Sequence, residues 1–272
     1  MISGIYDIHN KKGEKLLDAL LAEAKSLFSL EDAQKKLGLP KNYVVKIISN
    51  LVKKKQVLRI SQGLYAYFPP TEKKSGFNVS RIIGQIMEHR HTPYYVGLLS
   101  AADYYGAAHQ KPQRLQIMIP QQISFAKAKE LGISFHVQKH FPKTGLAQIK
   151  TPQGYLWYSS PELLALDLLN YEKASGGIDN VAIIIREIRP LLKNKSLRAM
   201  ALDYPVRAVV QKLGYLLELF GAQDLLLQCL QRIIKKRGAS VVGLSSPLPK
   251  KGSFNAKWSV LVNTTLEVSD DL

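Results

Sequence analysis

Two kinds of side chain in this 272-residue sequence are equipped for chemistry: those that hold a metal or attack a substrate, and those that hold a phosphate. The first kind is scattered. Of the six histidines, His9, His89, His91, His109, His136 and His140, only the last two are four apart, and Val137-Gln138-Lys139 between them continues a strand-like segment, whereas a zinc pair uses that spacing on a helix. No glutamate-bearing zinc motif accompanies them. The single cysteine, Cys229, excludes an intramolecular disulfide and a multi-cysteine zinc site, and its apolar helical surroundings, Leu225 to Ile234, make it a core residue. A phosphate-cradling loop with its lysine and hydroxyl is absent, as is a Gly-x-Ser-x-Gly nucleophile elbow. Gly252-Ser253 offers the small-residue pair of a nucleotidyltransferase, but no Asp-x-Asp follows to hold magnesium. A nuclease needs acids converging with a lysine on a divalent metal. Gln148-Ile149-Lys150 has the lysine with glutamine in place of the acid, and Glu162 and Asp167 fall on the following helix. The chain is therefore expected not to be an enzyme, and to carry no metal and no cofactor.

The second kind is concentrated. From Ala33 to Thr71 there are eight Lys/Arg and no Asp or Glu. The whole chain is formally +17, from 38 basic and 21 acidic residues, a balance that suits DNA, RNA, an anionic membrane or an acidic protein alike; the local run narrows the partner to nucleic acid. The excess continues along the chain: residues 1–75 hold 14 basic and 7 acidic side chains, 76–170 hold 9 and 5, and 171–272 hold 15 and 9. No apolar run approaches the roughly 20 residues that span a bilayer, and the polar start, Met1 to Gly13, does not read as a secretory signal, so a cytoplasmic protein with no membrane partner is expected.

The elements that must position these cations follow from periodicity and punctuation. One amphipathic helix begins at about Glu14, with Leu16, Leu17, Leu20, Leu21 and Ala24 on one side. Ser29, with Asp32 three residues on, caps a second helix that runs through Ala33 to Leu37 and stops at Gly38. Gly38-Leu39-Pro40 turns the chain into a third, Lys41 to Lys54, nearly perpendicular to the second. Val44, Ile48 and Leu51 share its packing side, and Asn42, Lys46, Ser49, Asn50 and Lys53 its polar side. Val57 to Ile60 and Leu64 to Phe68 flank Ser61-Gln62-Gly63 as a hairpin. That order is a winged helix-turn-helix over residues 1–72. Pro69-Pro70-Thr71 and Glu72-Lys73-Lys74-Ser75-Gly76 read as a linker. In a major groove, Asn42 and Lys46 would face base edges, Lys41, Lys53, Arg59 and Gln62 would reach phosphates, and Tyr43 and Asn50 would lie at the margins. The alternative, a protein-protein adaptor with a solvated lysine face, has the absence of acids against it.

Residues 77–272 read as a larger mixed domain, which makes the fold class α+β, helices around a small sheet. Helices are expected at Val79 to His89, in the small, tyrosine-rich segment Pro93 to Gly106, and at Ser160 to Asn170, Val181 to Leu192, Pro205 to Phe220 and Gln223 to Lys236. Strands are expected at Leu115 to Ile119, Ile133 to Val137, Ala147 to Ile149, Tyr155 to Tyr158 and Trp258 to Val262. Arg207 and Lys212, and the cluster Arg232, Lys235, Lys236 and Arg237, form a candidate second basic surface, although cations in the last turn of a helix also answer its dipole.

Four segments, in this order and spacing, resemble the AbiEi antitoxins of bacterial abortive-infection, type IV toxin-antitoxin systems. They are the Gly63-Leu64-Tyr65 wing, the Tyr95 to Gly106 segment with Ser100-Ala101-Ala102, the stretch Gln211-Lys212-Leu213-Gly214-Tyr215-Leu216-Leu217-Glu218, and Trp258-Ser259-Val260-Leu261-Val262-Asn263. The resemblance implies a transcriptional autorepressor that binds inverted repeats in its double-stranded operator DNA. It also implies that the carboxy-terminal domain assists repression and counteracts a cognate AbiEii-like nucleotidyltransferase toxin, a functional partner it need not touch, in the service of phage defence. A winged-helix repressor with an effector-binding or oligomerising second domain and no toxin partner stays open as the alternative.

Overall fold

The computed structural model describes residues 2–67, 79–151 and 154–266; the expected linker after the wing lies outside them. The chain divides into two compact units. One comprises Met1–Pro93, Ile123–Ser134 and Lys150–Leu156, and the other Tyr94–Gln122, Phe135–Ile149 and Trp157–Leu272.

The first unit opens with α1 (Ile2–Ala22), β1 (Leu27–Ser29), α2 (Leu30–Leu37), α3 (Lys41–Lys53), β2 (Val57–Ser61) and β3 (Leu64–Tyr67), the arrangement of a winged helix. The α1 helix begins well before Glu14 and passes through Gly13, where a side chain would crowd Leu51 of α3: an added Cβ would stand 3.1 Å from Leu51 Cδ2. A glycine inside a helix weakens it, and here it admits the close approach. Ser29 and Asp32 form a reciprocal cap, with Ser29 Oγ accepting from the Asp32 N–H at 3.0 Å and Asp32 Oδ2 from the Ser29 N–H at 2.8 Å. Partial burial works against the Asp32 charge, but the Ser29 N–H and Lys25, 3.2 Å away, outweigh it and hold the carboxyl below its ordinary value. Gly38 ends α2 in the left-handed region (φ +63°). Leu16, Leu20, Phe28, Ala33, Leu37, Val44, Ile47, Ile48, Leu51 and Tyr65 close one core, so the module buries its own apolar faces. The wing hairpin gains a third strand that the sequence did not suggest, with β1 pairing β3 antiparallel, Phe28 opposite Tyr65.

A 3₁₀ turn, Val79–Arg81, leads into α4 (Ile83–His89), shorter than the continuous helix expected there. Then come β4 (Tyr95–Val96), α5 (Leu98–Tyr104), β5 (Leu115–Ile119), β6 (Ile133–Val137), β7 (Leu146–Thr151), β8 (Gly154–Ser159), α6 (Pro161–Asn170), α7 (Gly177–Ile188), α8 (Asn194–Asp203), α9 (Arg207–Leu219), α10 (Asp224–Arg237), β9 (Val242–Gly243), β10 (Ser253–Asn255) and β11 (Val260–Val262). Strands β4 to β8 form a five-stranded sheet in the order β6-β5-β4-β8-β7. The expected helix from Pro93 thus starts late. Tyr95 and Val96 pair with Met118 and Ile117 instead, and Gly97 turns the chain where a Cβ would lie 2.7 Å from Met118 Cγ. Helix α7 ends before Leu192, since Pro190 diverts the chain into a 3₁₀ turn. Cys229 is half-buried rather than in the core.

Two buried polar clusters tie the second unit together. Asp167 of α6, with no exposed surface, accepts from Tyr95 Oη at 2.7 Å and Tyr204 Oη at 2.8 Å. Burial raises its carboxyl to about 7 against the pull of those two donors, and burial beside Asp167 lifts both tyrosines well above their ordinary value. The second cluster joins the two carboxy-terminal motifs. Trp258, fully buried, lies on Gly214 of α9, its Nε1 donates to Glu218 Oε2 at 2.7 Å, and Gln211 Nε2 donates to its carbonyl at 3.0 Å. A Cβ at Gly214 would meet the indole at 2.1 Å. Gly214→Ala gains roughly 1 kcal/mol of helix propensity. Displacing a packed indole costs more, so a net loss of about 2 kcal/mol is expected in urea titration.

Candidate nucleic-acid interface

The buried stripe of α3, Val44, Ile47, Ile48 and Leu51, fixes which side chains point away from the core. At 3.6 residues per turn Asn42, Lys46, Ser49 and Lys53 lie within about 60° of one another, directly opposite that stripe. All four are exposed, as are Lys41 and Tyr43, while Asn50 is half-buried toward the far margin. Asn42 Oδ1 accepts from the Tyr43 N–H at 3.0 Å, which holds its side chain at the helix entrance. On the other flank a groove of about 640 Å³ runs between α3 and the wing, lined by Lys41, Val45, Ser49, Val52, Lys53, Arg59, Gln62 and Tyr65, with Glu31 of α2.

The structure therefore gathers Lys41, Ser49, Lys53, Arg59 and Gln62 around one groove, sets Asn42 and Lys46 on the outward crest beside it, and leaves Tyr43 and Asn50 on the side away from the wing. Arg59 is exposed on β2 opposite Tyr65, just before a bulge, and Gly63 (φ +74°) closes the wing turn that carries Gln62. Not every lysine of the acid-free run is available: Lys36 pairs with Glu23, and Lys54 donates to Asn10 Oδ1 at 2.9 Å. Among the described residues, no acid pairs with Lys41, Lys46, Lys53 or Arg59. Uncompensated cations on a convex helix and a neighbouring ribbon are suited to a polyanion. Sequence reasoning passed over Val45, which is 39% exposed in this groove; its apolar type was its only signal, and apolar types were read as core.

The second basic surface needs correction. Lys212 is 4% exposed, donates to Ser246 Oγ at 2.7 Å and lies 3.7 Å from Glu172, so it is an internal ion pair; burial nevertheless lowers its ammonium below the ordinary value. Arg207 donates to the carbonyl oxygen of Arg237, and Arg237 to that of Ala201 at 2.9 Å, so both close helix ends. Of that set Arg232, Lys235 and Lys236 remain as exposed cations with no ion pair among the described residues. The acids considered for a nuclease are likewise occupied: Glu162 accepts the Lys193 N–H at 2.8 Å, and Asp167 sits in its tyrosine cage. Among the described residues no three His, Cys, Asp or Glu side chains gather as metal ligands, and no helix is long and apolar enough to cross a membrane.

The protein resembles the RV2827C protein from Mycobacterium tuberculosis in its crystal structure, with a TM-score of 0.68 over 92% of this chain and 90% of that one; at 15% identity the likeness is one of fold. No curated protein matches the sequence. Two family models do match it. Residues 15–67 fit "Transcriptional regulator, AbiEi antitoxin", and residues 95–219 fit "AbiEi antitoxin C-terminal domain". The first spans the helices and wing that carry the uncompensated cations, and the second spans both the Asp167 cage and the Gly214 helix. The chain belongs to the AbiEi antitoxin family and is an antitoxin with a regulatory role.

Proposed function

We propose that the chain represses its own operon by binding inverted repeats in double-stranded operator DNA, and that it counteracts a nucleotidyltransferase toxin encoded beside it. The observation that carries the first half is the set of four exposed cations, Lys41, Lys46, Lys53 and Arg59, with no acidic partner among the described residues, on the helix and wing of a regulator module. Asn42 and Lys46 are assigned to base edges, and Lys41, Lys53, Arg59 and Gln62 to phosphates. Residues 1–72 act as the DNA-binding part and 77–272 as the antitoxin part. The protein works without catalysis, in the cytoplasm, which is where its operator lies.

The second half is supported by the carboxy-terminal antitoxin match, and it has its own test. Expression of the neighbouring gene alone should arrest growth, and co-expression of this chain should restore it, while Lys46→Ala with Lys53→Ala abolishes repression of a reporter driven by the chain's promoter. Charge reversal at Lys235 and Lys236 probes the remaining outward cations: loss of either repression or rescue assigns them a function, and intact activity in both assays leaves them to the helix dipole.

A further inference from the structure

We propose that Val45 is a specificity-determining residue that reads the C5-methyl group of a thymine in the major groove, an inference that rests on the DNA-binding reading of α3. A single exposed valine is ordinary on a protein surface. This one is unusual in place. On a helix its neighbours are the residues three and four away, Lys41, Asn42, Ile48 and Ser49, so a solvent-facing isopropyl group stands among the side chains assigned to bases and phosphates. A β-branched residue on a helical surface also works against the helix, since its χ1 freedom is lost there, and at 39% exposure burial offsets only part of that loss. Local rules of this kind are broken mostly where function needs the residue.

The groove around Val45 defines the ligand group. Half-buried Val52 extends its apolar surface, and Glu31 of α2 lines the same groove with a carboxylate, which repels phosphate. The base edges of a duplex major groove present donors, acceptors and one apolar group, the thymine methyl. An exposed valine on the amino-terminal half of a recognition helix, flanked by hydroxyl and amide side chains, matches that group on a base edge.

The test uses the full chain and the duplex it protects, with each thymine replaced in turn by deoxyuridine, which removes the methyl and leaves base pairing intact. For the native protein, one thymine per half-site should lose about fourfold in affinity, the worth of one buried carbon. In Val45→Ala that loss should vanish, and in Val45→Thr, which keeps one methyl, it should be partial. Alanine favours the helix, so an unchanged melting midpoint will confirm that the variant is folded. If uridine is tolerated everywhere, or costs both proteins the same, Val45 does not read the methyl, although the chain still binds DNA. If the full chain protects no duplex, the DNA-binding reading itself fails and this inference falls with it.

Discussion

Lys46→Ala combined with Lys53→Ala should lower affinity for duplex DNA about 30-fold at 0.15 M salt and flatten the slope of log K against log salt by about one unit, because the Lys53 phosphate contact contributes about 0.9 to that slope while Lys46 acts on a base edge. Both lysines are exposed on the crest of α3, among the described residues neither has an acidic partner, and the apolar stripe opposite them holds the helix in place. Folding should therefore be unaffected, with a thermal midpoint within a degree or two of the native protein, since surface substitutions of this kind change stability by roughly 0.5 kcal/mol or less. Lys36 is the built-in control. It is engaged with Glu23, so Lys36→Ala should leave the salt slope unchanged. Fluorescence anisotropy across a salt series reads both variants against the native protein, and an unaltered slope in the double variant would remove α3 from the interface.

Asp167→Asn is expected to have an effect that changes with pH. The group is wholly buried, and its carboxyl is raised from 3.8 to about 7. Between those values the folded protein holds a proton that the unfolded chain has released, so this group makes stability fall as pH rises from about 4 to 7, by up to 1.4 kcal/mol per unit and on the order of 4 kcal/mol in all. Asparagine does not titrate. It still accepts one tyrosine hydroxyl through its carbonyl oxygen, but its amide cannot accept the second, which costs about 1–3 kcal/mol. The substitution should therefore destabilise the protein at pH 5, and the deficit should shrink or reverse by pH 8. Urea titrations of both proteins at several pH values give the difference directly, and a difference that is flat with pH would show that Asp167 ionises in the fold as freely as in the unfolded chain.

The winged helix was legible because its instructions are local. Ser29 and Asp32 cap α2, Gly38 ends it, Pro40 precedes α3, and Gly63 closes the wing, each a short-range choice that no distant residue overrides. What failed depended on partners far along the chain. Tyr95 looked helical beside small residues, yet Met118 and Asp167 draw it into a strand. Lys212 looked like a surface cation on an amphipathic helix, and only Glu172 and Ser246 reveal it as internal. Helix α8 went unread because Leu197, Met200 and Ala201, its buried residues, are too few to make a clear period. On α3 charge and periodicity marked the exposed cations, whereas Val45, an apolar type, gave no sign that it lies 39% exposed beside them.

Footprinting of the full chain on the DNA upstream of its own gene tests the central claim most directly. Paired protected segments should appear with centres about 10 base pairs, or a multiple of that, apart, and they should disappear in the Lys46→Ala, Lys53→Ala protein. Absence of protection, or protection that survives the double substitution undiminished, would contradict it.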